Sequence, residues 1–168
     1  MSQRHHWTDS AQESNDAKIL SAQAEGQLNM ALKWLGKDDL VAARVFLGTV
    51  KKLLTLSGDI NTNIWINYYY ACATVAQKGN QWHGALRHCR KALSLTRRLY
   101  PSGHCSVLVA QANVGESLAA LGQKDKGRAM VAASLEKLKA ADVGTEAHMI
   151  SWKETALEEL TQTLNKLS

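Results

Sequence analysis

Proline occurs once in the 168 residues, at Pro101, and valine and isoleucine together number 14 against 45 alanines and leucines. A β-sandwich or barrel needs the opposite balance, so the composition predicts an all-α protein. The three cysteines, Cys72, Cys89 and Cys105, have no CxxC spacing. They exclude a disulfide framework and read as reduced packing residues of a cytoplasmic protein. No Asn-x-Ser/Thr acceptor is present. Long apolar runs are missing too: the uncharged stretch from Ile60 to Gln77 carries three asparagines, two threonines and three tyrosines, too polar for a membrane span. The N-terminal MSQRHHWTDSAQESND has no apolar signal core, so the expected location is cytoplasmic. With 45% hydrophobic and 21% charged positions, the chain is long enough to bury a core without metal or disulfide.

What is present is a repeat. A shift of 42 aligns Asn29-Met30-Ala31 with Ala71-Cys72-Ala73 and Asn113-Val114-Gly115, then Ala43 with Ala85 and Gly127, then Leu47 with Cys89 and Val131. A small residue thus recurs twelve positions after another, as two closely crossing antiparallel helices require. Gly36, Gly79 and Gly122 fall between the small residues and are expected to end each first helix in a left-handed turn. Asp38, Asn80 and Asp125 supply polar groups near each second helix. The expected helices cover about 11–35, 39–56, 62–78, 81–100, 104–121, 124–141 and 145–167, the first starting at the capping-box spacing Ser10 to Glu13. The last shows an apolar stripe of Ile150, Leu157, Leu160, Leu164 and Leu167, with Lys153, Glu154, Glu158, Glu159 and Lys166 on its solvated side. Residues 1–16 form a partly helical N-terminal extension, 17–144 three helical hairpins and 145–168 a capping helix.

The segment from Lys78 to Ala129 resembles the tetratricopeptide repeat in the longer form found in kinesin light chains, through Gly79, Trp82, Ala85, Ala92 and Leu93, then Asn113, Gly115, Leu118, Gly122 and Gly127. The resemblance covers residues 17–140. Cys89 and Val131 stand where an aromatic is usual, Lys124 replaces the aromatic matched by Trp82, and the first unit has an irregular turn. The resemblance implies a right-handed superhelix and a non-enzymatic protein-interaction module, a scaffold or adaptor. In that family asparagines matching Asn29 and Asn113 hold a ligand backbone. The Lys/Asn clamp by which cochaperones of the family hold a terminal carboxylate is not matched.

In a stack of hairpins the first helices line a concave groove, where Asn29, Asn67, Tyr70, Thr74, Asn113 and Glu116 are expected to face a partner peptide or helix. Leu28, Leu32, Val109 and Ala112 either join them or pack between units. Catalysis has no constellation to carry it: the six histidines form no HExxH, and no phosphate loop, nucleophile elbow or carboxylate pair occurs, so no enzyme, cofactor or metal site is expected. Neither His88-Cys89 nor His104-Cys105 converges on a helix.

The net charge of +5 has a location. Between Asp59 and Glu116 no acid occurs, and Arg87, Arg90, Lys91, Arg97 and Arg98 fall within an arc of about 120° on the fourth helix. This basic stripe is either an ordinary solvated face or a contact for nucleic acid, an acidic protein or anionic lipid, which would make the chain a regulatory module. A third reading is a chaperone for an export or assembly substrate. Trp152 on the capping helix is expected to be partly exposed and to mark an interface, with a homodimer as one way to cover it.

Overall fold

The computed structural model describes residues 6–58, 62–143 and 146–167. Seven α-helices, and no strand among the described residues, make up the protein: α1 His6–Gly36, α2 Leu40–Ser57, α3 Thr62–Lys78, α4 Trp82–Leu99, α5 Cys105–Ala120, α6 Lys124–Ala140 and α7 Ala147–Lys166. The expected all-α class therefore holds, and most helix ends lie within two residues of their expected positions. Helix α1 is the exception. It begins at His6 and runs through Ser10, because neither proline nor glycine interrupts the chain before Gly26. The residues before His6 lie outside the described ones. None of the helices is long and apolar enough to cross a membrane, among the residues described.

The chain divides into two compact units, residues 1–75 and 76–168. In the first, α1 packs along α2, and Ala31 and Ala43, both fully buried, permit that approach. Leu28, Leu47, Val50 and Leu54 fill the space beside them, closed by Ile64, Tyr68 and Ala71 from α3. In the second unit α5 is buried almost all round, which marks it as the central helix: α4, α6 and α7 all pack against it. Its contact with α6 is very close. A β-carbon on Gly115 would lie 2.8 Å from the Gly127 carbonyl oxygen, and one on Gly127 would overlap the Gly115 carbonyl and lie 2.6 Å from Ala119 N. Here the small residues are a steric necessity, as their recurrence suggests.

The turns repeat as strictly as the small residues. Asp39, Gln81 and Gln123 each donate a backbone hydrogen bond five residues back, to the carbonyls of Trp34, Ala76 and Leu118, at 3.0, 2.7 and 3.0 Å. Asp38, Asn80 and Gly122 bond three residues back, to Leu35, Gln77 and Ala119. This is one Schellman closure made three times at a spacing of 42. The residue in the left-handed conformation is Asp38 (φ 61°), Asn80 (φ 56°) and Gly122 (φ 87°). The expectation for the glycines is thus right at Gly122 and wrong at Gly36, which ends α1, and at Gly79, which precedes the left-handed residue. Bond pattern decides the position, and Asp and Asn tolerate it through their short polar side chains. The first turn, expected to be irregular, makes the same bonds as the others. It alone adds a side-chain cap, Asp39 accepting from Ala42 N at 2.9 Å, and Asp125 lies within the first turn of α6.

Helix α7 covers α5 and α6 with Ala156 and Leu160, while Ile150 and Trp152 remain exposed. Lys153 is not merely solvated. Its ammonium donates to the carbonyls of Ala141 (2.6 Å) and Lys139 (3.1 Å), groups that the end of α6 leaves without helical partners.

Two substitutions test these contacts. Gly127→Ala should lower unfolding free energy by about 1–3 kcal/mol, the usual cost of overpacking. Lys153→Met should cost about 1 kcal/mol, since a charged donor is lost but water reaches the carbonyls. Chemical denaturation measures both, and an unchanged midpoint in either variant would contradict the corresponding contact.

Candidate partner-binding cleft and basic helix face

Position along α5 decides which side chains reach the surface of that buried helix. Val109, Asn113 and Glu116 are three to four residues apart, hence on one face, and only partly buried. Opposite them α7 places Ala156, Glu159, Leu160, Thr163 and Lys166, leaving a cleft of about 260 Å³. Apolar walls from Val109, Ala156 and Leu160 thus flank a polar group of Asn113, Glu116, Gln162 and Lys166. Gln77 Nε2 donates to Glu116 Oε2 at 3.3 Å. Burial pushes the Glu116 carboxyl above the ordinary range, and Lys166 and the Gln77 hydrogen bond only partly offset it. One turn on, Ser117 donates to the Asn113 carbonyl at 3.0 Å and lies 3.7 Å from the buried Cys89 thiol, so that cysteine belongs to packing.

Of the residues expected to meet a partner, Asn113 and Glu116 are therefore brought together. The other four belong to the first unit. Asn29 on α1 and Asn67 on α3 are exposed, and Tyr70 and Thr74 are half-buried, with the Thr74 hydroxyl already donating to the Tyr70 carbonyl at 3.1 Å. Leu28 and Ala112 are buried and pack, whereas Leu32 is exposed. Sequence reasoning missed the α7 side of the cleft. Glu159 and Lys166 read as solvated, and their spacing beside Ala156 and Leu160 is the one signal that could have placed them. It also singled out Tyr70 over its neighbours. Trp65 stacks on Tyr69 (5.7 Å between centroids) and meets Tyr68 edge-on (5.6 Å), forming the aromatic cluster of α3. Burial and a hydrogen bond with Cys72 push the Tyr68 phenol well above its usual range.

Helix α4 is the most sharply two-faced of the seven. Ala85, Leu86, Cys89, Ala92, Leu93 and Thr96 are buried, and Arg87, Arg90, Lys91, Arg97 and Arg98 are all exposed. His88, at the margin, is held below its usual value by burial and by the adjacent Arg87 and Lys91. His104 is the N-cap of α5: its Nδ1 accepts from Ser106 N at 3.2 Å, and its ring stacks on Tyr100. Among the described residues no three His, Cys, Asp or Glu side chains converge as a metal site would require.

No family model, curated protein or solved structure matches the chain.

The raised Glu116 value makes a prediction for stability. A carboxyl whose folded pKa lies above its unfolded one contributes stability that is present at low pH and lost as pH rises through the folded value. Glu116→Gln keeps an acceptor for Gln77 and removes the ionisation. The variant should melt above the parent protein at neutral pH, with the gap closing below the ordinary glutamate range. Thermal melts across that pH range measure it, and a variant that melts lower at neutral pH would contradict burial as the dominant cause.

Proposed function

We propose that this chain is a non-enzymatic scaffold of the tetratricopeptide kind, three helical hairpins in a right-handed superhelix closed by a capping helix, that binds a peptide or helix of a protein partner. The observation that carries this reading is the threefold Schellman turn at Asp38, Asn80 and Gly122, since helix pairs closed identically at one period are the mark of a helical repeat. The cleft between α5 and α7 supports the same reading. Its volume of about 260 Å³ falls below the ~300–1,000 Å³ of small-molecule sites and suits one or two side chains of a longer ligand. The Asn113 amide supplies both a donor and an acceptor for a peptide main chain, and Glu116 and Lys166 offer one charge of each sign. Asn29 occupies in the first pair the position that Asn113 holds in the third, and within the first unit Asn29, Asn67, Tyr70 and Thr74 are separate candidate contacts.

Selection of a random peptide library against the folded chain tests this. Enriched peptides should bind the parent protein and lose at least about tenfold affinity, about 1.4 kcal/mol, for Asn113→Ala while its melting temperature holds. Failure to enrich any sequence, or binding indifferent to Asn113→Ala, would overturn the reading.

A further inference from the structure

The repeat supplies an internal control for the basic stripe. Positions 42 apart occupy the same register on successive second helices, so α2 and α6 show what the outward face carries when only solvation is required. Where α4 has Arg87, Arg90, Lys91, Arg97 and Arg98, α2 has Val45, Gly48, Thr49, Thr55 and Leu56, and α6 has Ala129, Ala132, Ala133, Lys139 and Ala140. On α2 all five are exposed, and on α6 all but the half-buried Ala132. One of these ten register equivalents is basic, against five of five on α4. Helix α6 has as many exposed cations, Lys124, Lys126, Arg128, Lys137 and Lys139, but it mixes them with Asp125 and Glu136, whereas α4 gathers its five on one side without an acid.

Nor is the charge balanced within the chain. Asp59 and Glu116 bracket a stretch without any acid, and α4 has no carboxylate to pair at i±3 or i±4. Arg87, Arg90, Arg97 and Arg98 make no ion pair among the described residues. Four guanidinium groups on one face with no ion pair among the described residues repel one another, a cost that a bound polyanion would remove.

We propose that this face of α4 docks on the phosphodiester backbone of a nucleic-acid duplex. Three features favour phosphate over an acidic protein. Within the 120° arc the only other side chains are His83 and Ser94, so the face lacks the apolar centre that protein–protein interfaces have, and charged residues are depleted from such centres. Protein–nucleic-acid interfaces are polar and strongly positive throughout. Arginine outnumbers lysine four to one, which matches the bidentate geometry of phosphate oxygens. From residue 87 to 98 the stripe runs about 16 Å along the helix, beside a duplex that carries one charge per ~1.7 Å of axis. The proposed contacts are to phosphates, which carry no sequence information, so the docking is indifferent to sequence and independent of the partner cleft proposed above.

Fluorescence anisotropy of labelled mixed-sequence duplexes, one DNA and one RNA, titrated with the full chain at several salt concentrations, tests the proposal. If all five cations meet phosphates, the slope of log affinity against log salt should be about −4 to −5, a loss of roughly 500-fold between 50 and 200 mM. The variant Arg87→Gln/Arg90→Gln/Arg97→Gln/Arg98→Gln should reduce the slope to about −1, that of Lys91 alone. The milder Arg90→Gln/Arg97→Gln should lower it to about −3, that of the three remaining cations, and either must melt like the parent protein to count. A control removing equal charge from α6, Lys124→Gln/Lys126→Gln/Arg128→Gln/Lys137→Gln, should keep the parent slope. Which duplex binds more tightly identifies the nucleic acid. Absence of binding to both at 50 mM salt, equal loss in the α6 control, or tighter binding to polyglutamate or to phosphatidylserine vesicles would overturn the proposal.

Discussion

The contact of Gly115 with Gly127 is the constraint on which the second unit depends. Two helices whose backbones approach until a methyl group no longer fits must cross at one register, because moving either by a residue would put Val114, Glu116 or Arg128 into the gap. That register turns Val109, Asn113 and Glu116 away from α6, to the side where α7 lies. The cleft is thus a consequence of the crossing. Lys153 secures it from the far end by holding α7 to the last carbonyls of α6.

The same backbone turn recurs in three sequence contexts that share few side chains. Trp34 to Asp39, Ala76 to Gln81 and Leu118 to Gln123 close identically, yet the left-handed residue is Asp, Asn and Gly. Left-handed backbone costs a residue with a β-carbon about 1–2 kcal/mol, less for Asn and Asp, so the first two turns sustain a penalty that the third avoids. The fold therefore constrains backbone geometry and inward small residues and leaves the outward faces free to diverge. They have diverged: α2 carries exposed Val41, Val45 and Leu56, α4 a row of cations without an acid, and α6 lysines and an arginine interleaved with Asp125, Glu136 and alanines. Three helices that follow the same turn thus present three different surfaces.

Much of the fold is legible in the sequence because it follows from local rules. Helix number and most helix ends come from the shortage of β-branched residues and of proline, and the close crossing from small residues twelve apart. Glycine's lower intrinsic cost points to Gly36 and Gly79 for the left-handed positions, whereas the bond pattern places them at Asp38 and Asn80. Sequence reasoning reached half of the cleft: Asn113 and Glu116 follow from helical periodicity on α5. Gln162 and Lys166 do not, since their arrival depends on where α7 comes to rest, which no local pattern states. The role of Lys153 is hidden for the same reason, its carbonyl partners lying at the end of another helix.

The threefold turn is a property of the backbone, and backbone NMR in solution measures it most directly. Chemical shifts and three-bond HN–Hα couplings should report positive φ at residues 38, 80 and 122, with slowed hydrogen exchange at the amides of 39, 81 and 123. A left-handed conformation confined to Gly122, with ordinary helical or extended shifts at Asp38 and Asn80, would contradict the three-pair account.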